Sequence, residues 1–236
     1  MLKIKKNKGY ILDKIMYNQI PVSTIMDKFF LRFPKNYKDN YDKNIIDLEI
    51  LKVDKLHEEK SGGEFFTDFI QVFYNSKVEF LIHELMHISS YNRAINSMAI
   101  SRSVNYSLYE AAMIEGMTEF LACLARNSEP NAYHYHVFVV TMLSSIDKFF
   151  EPYFIPSYDN FIKLFPNKKD IVSLMYSLEF FHTKFDAPGY SDWDIKNMRA
   201  SICNIIDGLI NFKAIDSTNT RFIISGLKTL QTIDGR

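Results

Sequence analysis

The residues best suited to chemistry in this sequence are two histidines four positions apart with a glutamate between them, in Leu81-Ile82-His83-Glu84-Leu85-Met86-His87. On a helix, positions i and i+4 lie one above the other, so both imidazoles can converge on a single ion at roughly 2.0–2.1 Å. Glu84 then stands beside the ion without having to bind it. From there its carboxylate can take a proton from a water that a metal such as zinc has made more acidic. The surrounding run reads as a helix: Val78, Leu81, Ile82, Leu85 and Ile88 fall on one side at about 100° per residue, and His83 and His87 fall on the other.

A metal needs a third protein ligand, and the downstream sequence narrows the choice. The pattern that continues H-E-x-x-H with glycine and a third histidine is excluded, because Ser90 and Arg93 occupy those positions. A downstream Gly-Thr-x-x-Asp is also missing. Glu115-Gly116-Met117-Thr118-Glu119 does occur, on a second helical run opened by Ser107. One face of that run carries Ala111, Ala112, Glu115, Glu119 and Ala122; the other carries Met113, Met117, Phe120, Leu121 and Leu124. Small residues on the acidic face would allow close approach to the histidine helix. Glutamates at i and i+4 repel by roughly 0.2–0.5 kcal/mol even when exposed, and more when buried. A bound cation together with a hydrogen-bonded histidine would remove that conflict. A solvated acidic stripe would usually carry interspersed Lys or Arg, and none lies between Ser107 and Arg126.

With these two motifs the chain resembles the gluzincins, zinc peptidases with two H-E-x-x-H histidines and a downstream glutamate as ligands; the E-G-x-T-E form is similar to that of small bacterial gluzincin-like proteins. The resemblance covers roughly residues 65–150. It implies that His83, His87 and Glu115 bind zinc and that Glu84 is the general base and acid. It implies further that Glu119 orients a zinc-bound histidine through its ring N–H. The activity it implies is hydrolysis of peptide bonds in a peptide or protein substrate.

Such a peptidase also uses a Tyr or His to steady the oxyanion. Tyr106, Tyr109, Tyr133, Tyr135, His134, His136, Tyr176 and His182 all lie downstream, and most such rings serve packing. Tyr133 and His182 are the preferred pair, since each lies near the end of an expected helix where a side chain can reach a cleft. His57, in a polar stretch, reads as exposed.

The elements that must hold these residues follow from pattern and punctuation. Asn44–Asp54 and Phe65–Tyr74 read as two antiparallel strands around Ser61-Gly62-Gly63, although the Phe65–Phe73 spacing also suits a helix. Ser76-x-x-Glu79, Ser107-x-x-Glu110 and Ser191-x-x-Asp194 mark helix starts. Further helices are expected at 131–150, 167–181 and in a segment ending near Asn211, divided by prolines. The expected architecture is α+β and mainly helical, zincin-like, with a small antiparallel sheet beside two zinc helices (about 76–90 and 107–126) and a helical lobe over 131–236. Residues 1–44, with a short helix over Val22–Arg32, read as a loosely attached extension to a domain spanning 45–236. The substrate would lie in the cleft between sheet and helical lobe.

Composition removes several other classes. The 236 residues carry 28 Lys+Arg against 28 Asp+Glu, so no net positive field exists to attract nucleic acid. At 47% hydrophobic and 15% aromatic the chain can build a core. Its two cysteines, Cys123 and Cys203, form no disulfide framework and no cysteine metal motif. Neither a signal peptide nor a membrane span is read, so the expectation is a protein made in the cytosol, with leaderless export left open. The competing expectation is a zincin-fold metal-binding module that regulates by binding with little turnover; an intact Glu84 counts against it, because a scaffold needs no base beside the ion.

Overall fold

A computed structural model describes residues 11–54, 56, 62–67, 70–75, 77–102, 108–179 and 192–211 of the chain. The fold is α+β and mainly helical. Ser76, Ser107 and Ser191, the expected caps, lie outside the described residues, as do His57, Tyr106 and His182.

The chain enters through a tight hairpin, β1 (Met16–Tyr17) and β2 (Ile20–Pro21), whose turn residues Asn18 and Gln19 both take positive φ, as a two-residue primed turn requires. Helix α1 (Val22–Phe30) follows at once and buries Val22, Ile25, Met26, Phe29 and Phe30. Its Phe29 and Phe30 rings meet Phe154 at centroid distances of 6.4 and 6.0 Å, which ties the N-terminal segment to the C-terminal half. Helix α2 (Asp39–Ile45) packs on the helix that carries the histidines, α3 (Val78–Ser90). Asn44 of α2 donates to the carbonyls of Ile88 (3.0 Å) and Tyr91 (2.6 Å), tying α2 to the C-terminal end of α3. The described part of the N-terminal 44 residues is therefore built into one continuous core that runs from Leu12 to Ile206, not loosely attached to it.

The sheet departs from expectation in two ways. The apolar stretch before α3 is two strands, β4 (Gly63–Phe66) and β5 (Gln71–Tyr74), folded into a hairpin with Ile70 at φ 49° beside the turn. The earlier strand, β3 (Glu49–Lys52), pairs with β5 in parallel, in the register Ile50↔Val72, so the expected antiparallel pair is in fact a three-stranded mixed sheet in the order β3-β5-β4. Alternation of apolar residues is the same for either strand direction, and the hairpin decides it. Central β5 buries Val72 and Tyr74, while β4 takes the edge and lies against α3.

Helix α3 starts at Val78 and has Lys77 at its N-cap, whose backbone N–H donates to Asn75 Oδ1 at 3.0 Å. Every residue from Leu81 to Ser90 is buried, so the helix is enclosed on its histidine side as well as its apolar side. A short hairpin, β6 (Tyr91–Asn92) with β7 (Ser97–Met98), leads to the long helix α4 (Leu108–Arg126). Around α4 pack α3, α5 (His134–Leu143) and α8 (Lys168–Glu179). Two short helices, α6 (Glu151–Phe154) and α7 (Tyr158–Lys163), sit between, and α9 (Asp192–Asn211) closes over α8. The expected 131–150 helix is shorter at both ends. Among the described residues, no helix is long and apolar enough to cross a membrane.

Candidate metal centre and the groups around it

Helical periodicity puts His83 and His87 on one side of α3, and α4 passes that side with Glu115 facing them. His83 Nε2 lies 3.1 Å from Glu115 Oε2, His87 Nε2 lies 3.4 Å from the same oxygen, and the two Nε2 atoms are 3.2 Å apart. The three ligand atoms lie within 4.8 Å of one another, and both histidines are buried. Two imidazole nitrogens and a carboxylate oxygen converging on one point are a donor set that suits zinc.

Electrostatics agree with that fit. Burial opposes a charged imidazole at His83, yet hydrogen bonds to Glu115 and Glu119 and the charges of Glu115 and Glu84 outweigh it and lift its pKa to about 10. Burial likewise opposes ionisation of Glu115, but the neighbouring imidazoles of His87 and His83 hold it well below the usual carboxylate range. The cluster thus draws a positive charge into its centre, supplied by a proton on His83 when no other cation is there.

A tight set of contacts stands behind His83. Its Nδ1–H donates to Glu119 Oε2 at 2.7 Å, which leaves Nε2 facing the cluster. The other oxygen of Glu119 accepts from Arg126 Nη2 at 2.7 Å, from the Asn131 backbone N–H at 2.9 Å and from the Cys123 thiol at 3.7 Å. Glu119 is only 2% exposed, and although burial works against its charge, His83 and Arg126 bring its pKa to about 2. Burial and the Glu119 carboxylate together push the Cys123 thiol up to about 12, which keeps it a donor. Arg126 also donates to the Glu79 carbonyl at 3.1 Å, tying the end of α4 to the first turn of α3. Sequence reasoning missed Arg126, although it lies seven residues after Glu119 and hence on the same helix face.

Glycines set the distances between elements here. A Cβ on Gly62 would stand 2.3 Å from the Phe80 ring, and one on Gly63 would stand 2.8 Å from Glu84 Cγ and Oε1. Phe80 and Glu84 are one turn apart on α3, so the Gly62-Gly63 pair, read from sequence as a turn signal, is where β4 comes down onto the helix. Glu84 is buried beneath it. Burial raises its pKa, the charges of His83 and His87 oppose that rise, and Glu115 and Glu64 add to it. On the far side of α4, a Cβ on Gly116 would meet His136 Cβ at 2.8 Å, so this glycine lets α5 approach rather than α3.

That approach brings Tyr133 to the site. It adopts the left-handed conformation (φ 54°, ψ 32°) just before α5, and its ring stacks over His83 with centroids 6.0 Å apart and planes 25° apart. A non-glycine residue held in that region is uncommon and marks a position set by its surroundings. The remaining described candidates lie elsewhere: Tyr109 and Tyr176 are exposed and pack on each other, His134 is exposed, and His136 is buried with its Nε2–H donating to the Leu178 carbonyl at 3.0 Å. Tyr135 is half-buried against the core.

The structure therefore brings His83, His87, Glu115, Glu119, Glu84 and Tyr133 into one place, and His182 falls outside the residues it describes. Comparison of the chain with protein-family models, with curated proteins and with solved structures found no match.

Proposed function

We propose that this protein is a zinc-dependent metallopeptidase of zincin-like fold. The observation that carries the proposal is the convergence of His83, His87 and Glu115 within 4.8 Å, with Glu84 buried beside them. His83, His87 and Glu115 would hold the ion. Zinc bound there supplies Lewis acidity, polarising a scissile carbonyl and acidifying the attacking water.

The chain's own residues do the rest. Glu84 takes a proton from that water on its carboxylate and delivers it to the leaving amine nitrogen; burial, which raises its pKa, makes it the stronger base for the first transfer. Tyr133, over His83, is the described residue we assign to steadying the oxyanion. Glu119, clamped by Arg126, keeps His83 in the tautomer that turns Nε2 toward the ion. The peptide would lie in the cleft beside edge strand β4, which passes directly over Glu84.

The test begins with elemental analysis of the purified protein and of His83→Ala. About one zinc per chain, lost in the variant, is expected from the three-ligand site. A peptide-library cleavage assay then compares the wild type with Glu84→Gln, which is expected to retain zinc and lose hydrolysis. Hydrolysis undiminished in Glu84→Gln, or no zinc after reconstitution, overturns the proposal.

A further inference from the structure

His83 has a carboxylate behind it; behind His87, among the described residues, stands instead a chain of hydroxyls. Thr118 Oγ1 lies 3.4 Å from His87 Nδ1 and 2.9 Å from the Tyr153 hydroxyl, and the Ser90 hydroxyl is the next polar group beside that phenol. Ser90 Oγ–H donates to the carbonyl of His87 itself at 2.8 Å. Thr118 and Tyr153 are fully buried, and so is Ser90.

The direction of this chain follows from its last member. A carbonyl can only accept, so the Ser90 proton is committed and its oxygen is left to accept from Tyr153 O–H. The Tyr153 oxygen then accepts from Thr118 O–H, and the Thr118 oxygen accepts from His87 Nδ1–H. Burial pushes the Tyr153 phenol above its ordinary pKa, so it remains a donor. Reversing the links would turn the Tyr153 proton toward Thr118 and leave the Tyr153 and Ser90 oxygens facing each other with no proton between them in a buried place, which costs about 1–3 kcal/mol.

We propose that Thr118, Tyr153 and Ser90 are positioning residues that hold His87 as its Nδ1–H tautomer with the Nε2 lone pair aimed at the metal centre. The proposal rests on the metallopeptidase reading for its purpose, but the tautomer itself does not depend on that reading. Thr118 of the Glu115–Glu119 motif thereby acquires a role of its own, since Glu119 orients one histidine and Thr118 the other from adjacent positions on α4. The same arrangement accounts for a tyrosine on the four-residue helix α6, where Tyr153 reaches between α3 and α4 as the middle link of the chain.

The experiment uses the full chain in the wild type and in Thr118→Val, Thr118→Ser and Tyr153→Phe. Long-range ¹H–¹⁵N correlation of the histidine rings, on the metal-free and the zinc-loaded protein, reads the tautomer of His87; competition with a chelator reads zinc affinity. The expected result is an Nδ1–H signature for His87 in the wild type and in Thr118→Ser, and its loss in Thr118→Val. Zinc affinity should fall by about 10–100-fold in Thr118→Val, in the range seen when outer partners of metal ligands are removed, and recover in Thr118→Ser. Tyr153→Phe, which keeps the ring and deletes only the hydroxyl, should weaken zinc in the same direction. An Nε2–H tautomer in the wild type, or a Thr118→Val protein whose tautomer and affinity match the wild type, overturns the proposal. A wild type that binds no zinc defeats the metallopeptidase reading instead, and the metal-free spectra still decide this one.

Discussion

Gly63 and Glu84 make a prediction that needs neither metal nor substrate. A methyl group at Gly63 would stand 2.8 Å from Glu84 Cγ, 2.8 Å from Oε1 and 3.2 Å from Cδ, and all three atoms belong to the side chain of a residue only 6% exposed. Either β4 lifts from α3 or the carboxylate leaves its place; overpacking of this kind costs about 1–3 kcal/mol. For a chain of this size that is a fall of about 2–12 °C in Tm. In a Glu84→Ala background the three clashing atoms are gone, so the same Gly63→Ala change should cost almost nothing. The entropic effect of replacing glycine acts on the unfolded chain and is common to both backgrounds, so it cancels in the cycle. Thermal and urea unfolding of the four proteins, with chelator present throughout, gives the coupling directly; about 1–3 kcal/mol is expected, with the double variant more stable than the sum of the singles. Equal losses in both backgrounds would refute the reasoning and make Gly63 a requirement of the β4 backbone alone.

Two further outcomes are expected. Glu115→Ala should abolish zinc binding in a chelator-competition titration, whereas Glu119→Ala, which leaves all three ligands in place, should weaken it by about 10–100-fold; the reverse order would exchange their roles. In the metal-free protein, His83 has a pKa raised from 6.5 to about 10, so its contribution is fully present below pH 6.5 and is lost as pH rises toward 10. Urea stability should therefore fall between about pH 7 and pH 9.5, by at most about 1.4 kcal/mol per pH unit, and the zinc-loaded protein, whose His83 Nε2 holds no proton, should lack that fall. A metal-free stability independent of pH over that range would show that His83 is not in the ionised cluster described.

Parts of this fold and site could be read without coordinates, and the parts share one property. His83, Glu84 and His87 are related by the helical repeat alone, as are Glu115 and Glu119, and Arg126 seven residues after Glu119 falls under the same rule although its partner is not evident from spacing. The helices α3, α4 and α8 were legible from their apolar periodicity for the same reason. Each of these relations lies within one element, where backbone geometry determines which side chains are neighbours.

Relations between elements were another matter. Whether β3 ran parallel or antiparallel to β5 could not follow from alternation, which is identical in both, and it turned on a hairpin within 66–71 that also suited a helix. The N-terminal segment looked detachable because its composition is polar, yet Asn44 and Phe29 are built into the core by partners 44 and more residues away. Gly63 over Glu84, Tyr133 over His83, and Tyr153 behind Thr118 are contacts made only when separate helices and strands pack. The sequence by itself determined which helix faces carry histidines and acids, because local periodicity is a property of the backbone. The tertiary structure alone decided which faces meet, because that choice belongs to the burial of a single shared core, in which every element's position depends on all the others.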